Sequence, residues 1–150
     1  MFSSKTTLVA LVLALVLGST SSGFARNDIE SYPIRLAMEN ADAREKLDPQ
    51  IKLYFGKRPH GPVVKTLGEW KANKKSNSFA RADGVACQRA FLSAVISLQD
   101  RARKMGGNAV IGIKSYYQSQ ETSSDATYVC GSGGLMSGVT LIGTVVRIGK

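Results

Sequence analysis

The sequence predicts an α+β domain with one long helix, several short strands and an additional short N-terminal helix. Between Val85 and Met105, apolar residues recur at intervals of three and four, which is typical of one face of a helix. The flanking segments are short, rich in β-branched and aromatic residues and separated by glycine, proline and polar clusters, which is typical of strands. The sequence has no internal repeat, and residues 26–150 are enough for a single domain with one core.

The first 25 residues have the layout of a secretory signal peptide. Lys5 supplies a positive start, Leu8–Gly18 is an uncharged apolar run, and small residues at Gly23 and Ala25 suit a cleavage site. The apolar run is short for a membrane span, which needs about 20 residues. We therefore predict cleavage after Ala25, a periplasmic or secreted product, and no transmembrane span in that product.

An N-terminal extension, residues 26–61, is predicted to contain a short helix and the first strand. Within Tyr32–Gln50, Pro33 suits a first helical turn and the Asp-Pro pair at 48–49 ends the helix. Ile51–Phe55 then alternates as a strand does, and a loop rich in glycine and proline follows it.

The core, residues 62–150, surrounds the long helix with predicted strands and irregular connections. The predicted strands are Val63–Lys71, Asn108–Tyr117, Thr127–Cys130 and Val139–Ile148. The predicted connections are the polar segment Ala72–Gly84, the polar turn Glu121–Ala126 and the glycine-rich segment Gly131–Gly138.

The glycine pair Gly106-Gly107 is predicted to end the long helix. A phosphate-binding loop places its glycines after a strand and before a helix, whose free N–H groups then face the anion. Here the helix comes first and a strand follows. Gly106 can adopt the left-handed conformation that ends a helix without a Cβ clash.

Two cysteines, Cys87 and Cys130, lie in the predicted exported product. Exported proteins with two cysteines most often pair them. Such a bond would stabilise the fold by roughly 4 kcal/mol in the chain-entropy model. A free thiol or a metal ligand is the alternative, although the position of Cys87 on the apolar stripe favours a structural bond over redox exchange.

The sequence offers no set of catalytic or cofactor-binding residues. "CGSGG" places Ser132 in a setting like that of a serine-protease nucleophile, but the one histidine, His60, lies in a loop rich in glycine and proline. No Gly-Lys-Ser/Thr follows the glycines, and neither C-x-x-C nor a Met/His cluster is present. We predict a protein that is not an enzyme and that uses no cofactor or metal.

Positive charge is concentrated in the middle of the chain. Lys52–Lys104 has twelve basic and three acidic residues, which favours contact with a protein partner or an anionic surface. The candidate contact residues are Lys57, Arg58, Lys71, Lys74, Lys75 and Arg81. A solvated surface that keeps the protein soluble is the alternative. Trp70 and Phe79 flank these cations as in single-strand binding surfaces, but an exported protein seldom meets nucleic acid, and we expect none.

Four segments resemble, in order, the signalling domain of the RcsF family of envelope-stress lipoproteins, which is related in fold to the small YbjQ-like proteins. They are "LGEW" (Leu67–Trp70), "ACQ" (Ala86–Gln88), "ARKMGGNAV" (Ala102–Val110) and "LIGTVVRI" (Leu141–Ile148). The resemblance covers about Val63 to Lys150. It implies one main helix on a small antiparallel sheet, and Cys87 and Cys130 match a cysteine pair that the family joins. The chain lacks the cysteines of the family's second disulfide and of its lipid anchor.

Together these features predict a non-enzymatic exported protein that acts as a binding or stress-related module of the bacterial cell envelope. Its partner is expected to be an envelope protein or an anionic envelope surface. The alternative is a small-ligand or metal-binding protein of the YbjQ-like type.

Overall fold

The computed structural model describes residues 26–150, so the predicted signal peptide and its cleavage site lie outside the described residues. Within residues 26–150 the chain forms seven strands and three helices. The strands are β1 (Asp28–Pro33), β2 (Lys52–Phe55), β3 (Val63–Asn77), β4 (Ala109–Tyr117), β5 (Gln120–Thr122), β6 (Thr127–Ser132) and β7 (Met136–Ile148), and the helices are α1 (Ile34–Met38), α2 (Ala41–Lys46) and α3 (Asp83–Met105).

The predicted fold class, one long helix on a small antiparallel sheet, is wrong. The described chain is mostly a seven-stranded mixed sheet, with 45% of its residues in strands and 27% in helices. The sheet is mixed because β2 pairs with β4 in parallel, whereas the other strand pairs are antiparallel. It is larger than expected because β3 and β7 extend beyond their predicted bounds and residues 28–33 add a strand.

Strand β7 organises this sheet. On one side it pairs with β3 from Asn77↔Met136 to Val63↔Ile148. Its other side is shared, since β6 pairs with the start of β7 and β4 pairs with its second half. β1 lies outside β6, β2 lies outside β4, and β5 forms a short hairpin with the end of β4.

Helix α3 packs on one face of the sheet and confirms the helix predicted from the apolar spacing. Its buried residues include Phe91, Val95 and Leu98, which join Leu141 and Val145 of β7 in one core. The helix ends at Gly106, which has φ +77° and so adopts the predicted left-handed conformation. The glycine pair is therefore the end of a helix, as its position before a strand indicated.

The predicted helix over Tyr32–Gln50 is interrupted. Residues up to Pro33 form β1, and the helical part is divided into α1 and α2. The side chain of Asn40 accepts a hydrogen bond from the N–H of Ala43 at 2.8 Å and so begins a new helix. A side chain that caps a helix is incompatible with a continuous helix through the same residue, which explains the break.

Two segments predicted to be irregular are largely strand. Of the polar segment Ala72–Gly84, residues up to Asn77 continue β3, and of the glycine-rich Gly131–Gly138, residues 133–135 alone lie between β6 and β7. A polar segment can form a regular strand at the edge of a sheet, because one neighbouring strand satisfies its backbone while its side chains stay in solvent.

The glycines of β6 and β7 make room for an aromatic ring. Gly131 and Gly138 pair directly across the two strands, and the Tyr117 ring lies over them. A Cβ on Gly131 would overlap the Tyr117 hydroxyl group, and one on Gly138 would lie 3.8 Å from that ring. Close packing, not backbone conformation, requires glycine at position 131, whereas a Cβ at position 138 would make an ordinary van der Waals contact.

We predict that Gly131→Ala lowers the free energy of unfolding by about 2 kcal/mol, because the new methyl group must displace Tyr117. Urea denaturation measures this change. Gly134→Ala is the matched control, since a Cβ there meets open space, and it should change stability by less than about 0.5 kcal/mol. In a Tyr117→Ala background the cost of Gly131→Ala should largely disappear; an unchanged cost would contradict the packing explanation.

Gln99 on α3 holds the segment between α2 and β2. Gln99 is polar, yet the residue is 2% exposed. Its carbonyl oxygen accepts a hydrogen bond from the N–H of Asp48, and its amide donates to the C=O groups of Asp48 and Ile51, all at 2.9 Å. Arg103 supports the same turn through a 2.6 Å ion pair that lowers the pKa of the Asp48 carboxyl group.

Replacement of Gln99 by leucine should therefore cost about 3 kcal/mol of unfolding free energy, because it removes three hydrogen bonds from a buried site. Thermal or urea unfolding provides the measurement. The exposed Gln50, replaced in the same way, serves as the control and should have little effect. Equal stability of the two variants would mean that the Gln99 hydrogen bonds do not hold the segment.

The predicted disulfide is confirmed. Cys87 of α3 and Cys130 of β6 are bonded, with their Cα atoms 5.9 Å apart and a sequence separation of 43. Both residues are fully buried in the core. The bond therefore fastens the start of the helix to the strand beneath it.

Replacement of both cysteines by alanine should lower the free energy of unfolding by about 3 kcal/mol, since the unfolded chain loses a long closed loop. Urea denaturation of the double variant, the oxidised wild type and the reduced wild type measures this difference in the free energy of unfolding. The reduced wild type should match the variant closely; stability that does not change upon reduction would contradict a stabilising role of the bond.

Candidate functional site

The face of the sheet opposite α3 carries a row of polar side chains from β3. Ala72 is buried in the core, and side chains alternate along a strand, so Lys71, Asn73 and Lys75 lie on the opposite face. All three are exposed. These three side chains are two residues apart along β3, so this part of the basic segment presents its side chains on one face of the sheet.

Two tyrosines of β4 border this row. The Lys71 ammonium group lies 5.5 Å from the centre of the Tyr116 ring, within the range of a cation–π contact. Tyr117 lines a shallow hollow of about 330 Å³ together with Asn73, Lys75 and Thr140. Its lining also includes Asn27, Gln118 and Met136, so the hollow presents a cation, three amides, two hydroxyl groups and one thioether. The cation and the polar groups suit it to acidic or polar ligand groups. The sequence did not indicate Asn73, Tyr116, Tyr117 or Thr140 as site residues, because no apolar alternation marks residues 72–77 as a strand.

Strand β3 also has an unpaired edge. Among residues 26–150, β7 is the one strand that pairs with β3, and the backbone of Val63–Asn77 makes no hydrogen bond to a loop. The outer N–H and C=O groups of a strand of 15 residues are therefore available to an added strand.

The candidate cations do not form one patch. Lys71 and Lys75 lie on the open face, Lys74 lies on the α3 side of the same strand, and Arg81 lies in the turn before α3. Lys57 and Arg58 follow β2, at the opposite edge of the sheet.

Arg58 is already engaged, since it donates a hydrogen bond of 2.8 Å to the C=O of Asp125. Trp70, which borders the basic segment, packs its ring 3.9 Å from the Arg101 guanidinium group of α3. Both arrangements are intramolecular contacts that partly occupy these groups, as the Tyr116 contact does for Lys71.

Ser132 and His60, which the serine-protease comparison singled out, contact other side chains of the fold. Ser132 is buried, with its hydroxyl oxygen 3.3 Å from Cys87 Sγ and from Ser137 Oγ. His60 is exposed and contacts the edge of the Tyr54 ring. Burial raises the pKa of Tyr128, which is stacked on Phe91 in the core and is not on a surface. In the part of the chain that the structure describes, no three His, Cys, Asp or Glu side chains form a group that could hold a metal ion.

Comparison with known proteins does not assign the chain to a family. No protein-family model matches the chain, and no curated protein matches it. The RcsF-like resemblance rests on the four sequence segments alone and stays a prediction. Among the described residues no helix is long and apolar enough to cross a membrane.

Proposed function

We propose that the protein is an exported, non-enzymatic binding module of the cell envelope, and that it binds an extended acidic segment of an envelope protein along β3. The observation that carries this proposal is the unpaired edge of β3 beside the row of Lys71, Asn73 and Lys75. The signal peptide predicted from the sequence, the disulfide and the RcsF-like resemblance support the envelope as its compartment.

An added strand would gain backbone hydrogen bonds from β3 and selectivity from the side chains beside it. Lys71 and Lys75 are four residues apart, about 13 Å along a strand. They therefore match two acidic side chains at positions i and i+4 of an extended partner. Between them, Asn73 and the tyrosines of β4 offer polar and aromatic contacts.

The same lysines have a simpler explanation. Lysine on an edge strand discourages unspecific pairing between sheets. The two explanations differ in what they predict for an acidic partner: a lysine that only protects the edge can be replaced without loss of a specific complex, whereas a lysine that selects the partner cannot.

A photo-crosslinking residue at Asn73 should yield a specific protein adduct in cells, and Lys71→Glu should lower its yield about fivefold, because one attractive contact becomes repulsive. Lys57→Glu is the matched control, with the same change in charge at the opposite edge of the sheet, and should leave the yield unchanged. Equal losses in both variants would reveal an effect of net charge, and the absence of any adduct at Asn73 would refute binding along β3.

A further inference from the structure

A second exposed feature lies at the end of the sheet where β3 stops and β7 begins. Phe79, Leu135 and Met136 are 66%, 66% and 45% exposed. Two belong to the β6–β7 turn and the start of β7, and Phe79 belongs to the connection between β3 and α3. We call these three residues the apolar tip.

The two segments of the apolar tip are fastened to each other. The N–H of Ser78 donates to the C=O of Leu135 at 2.9 Å, and the Ser78 hydroxyl group donates to the C=O of Gly133 at 3.1 Å. Asn77 pairs with Met136 across the strands and accepts a hydrogen bond from the N–H of Phe79 at 2.8 Å. These bonds hold in place the two backbone segments that carry the three large apolar side chains, which lowers the entropy cost of ordering those segments on binding.

Positive charge surrounds the apolar tip. Lys74 and Lys75 precede it on β3, about 7–10 Å from Asn77, and the N–H of Arg81 donates to the C=O of Ser78 at 3.1 Å. Within residues 26–150 none of these three cations forms a salt bridge, whereas the neighbouring Arg26 is paired with Asp28 and Asp83.

We propose that the apolar tip docks on a lipid bilayer with anionic headgroups. Phe79, Leu135 and Met136 enter the boundary between headgroups and acyl chains, while Lys74, Lys75 and Arg81 contact the phosphate layer. A bilayer has an apolar layer directly beneath an anionic one. The protein has a matching order, with apolar side chains at the end of the sheet and cations next to them. Three side chains give weak, reversible docking that depends on salt, not a stable anchor.

The lipid proposal shares Lys75 with the proposed binding along β3 and otherwise uses different residues. The variants that test it leave Lys71, Asn73 and Lys75 unchanged, so either proposal can fail without the other. Docking of the apolar tip would also fix the orientation of β3 relative to the bilayer. β3 leads away from the tip for 15 residues, so its edge extends about 45 Å from the bilayer. An upright edge of this kind remains accessible to a partner.

The test is co-flotation of the protein, purified from cells with its disulfide intact, with vesicles of equal parts phosphatidylcholine and phosphatidylglycerol. Binding should be at least about tenfold weaker to phosphatidylcholine alone and should fall at about 1 M salt, where the Debye length is about 3 Å. The double variant Phe79→Ser, Leu135→Ser should bind at least about tenfold more weakly, and Lys74→Gln with Arg81→Gln should lower binding at low salt about tenfold or more.

The matched control is Leu36→Ser, Val64→Ser, which removes two exposed apolar side chains far from the tip and should bind like the wild type. Retention of the disulfide and of the far-ultraviolet circular dichroism spectrum shows that each variant is folded. The proposal is overturned by vesicle binding that the tip variant retains, by equal binding to neutral vesicles, or by no binding to either. If vesicles do not bind but a crosslinker at Leu135 captures a specific protein, the apolar tip is a protein contact and the lipid assignment is wrong.

Discussion

The pairing of β7 on both of its sides is the constraint on which the rest of the structure depends. β3 occupies one side over the whole strand, and β4 and β6 divide the other. Because β7 runs through the middle, its side chains must fit close neighbours: a Cβ on Gly143 would lie 2.6 Å from Val110. The same pairing brings Cys130 of β6 under α3, where Cys87 meets it. Both candidate surfaces follow from this arrangement, since β3 becomes an edge strand and the ends of β3 and β7 meet at the tip.

The N-terminal residues belong to the same sheet. β1 extends it beyond β6, and β2 extends it beyond β4 in parallel. A short segment such as Asp48–Ile51 carries backbone groups that must find partners when they are buried. Gln99 supplies those partners from α3. A polar residue in the core thus helps to position β2, which pairs with β4 in parallel, and with it the edge that lies opposite β3.

The sequence could predict those features that depend on neighbouring residues. The apolar period located α3, the order of helix and strand explained Gly106, and the predicted export favoured the Cys87–Cys130 bond. It could not predict features that depend on distant residues. Nothing local indicates that "ANKKSN" is a strand, because Ala72 is its one buried apolar residue. The need for glycine at 131 arises from Tyr117, and the burial of Gln99 arises from backbone groups about 50 residues away. Likewise, the candidate cations are close in sequence, yet the strand order separates Lys57 and Arg58 from Lys71 and Lys75.

The positions of these surfaces limit how the two proposed contacts can combine. α3 covers one face of the sheet, and the surfaces proposed above to bind partners are the open face, the β3 edge and the end of the sheet. The edge and the apolar tip share the pair Asn77↔Met136, so a partner bound along β3 is held at a fixed angle to whatever the tip contacts. Short loops and the disulfide keep that angle rigid. When two weak contacts are held at a fixed angle, formation of the first raises the effective concentration of the second binding surface at its own partner. The lysines between them belong to both surfaces: they protect the exposed edge from unspecific pairing, and their charge favours acidic groups at either contact. In the two proposals made above, specificity comes from combining two modest surfaces that one strand pair holds together.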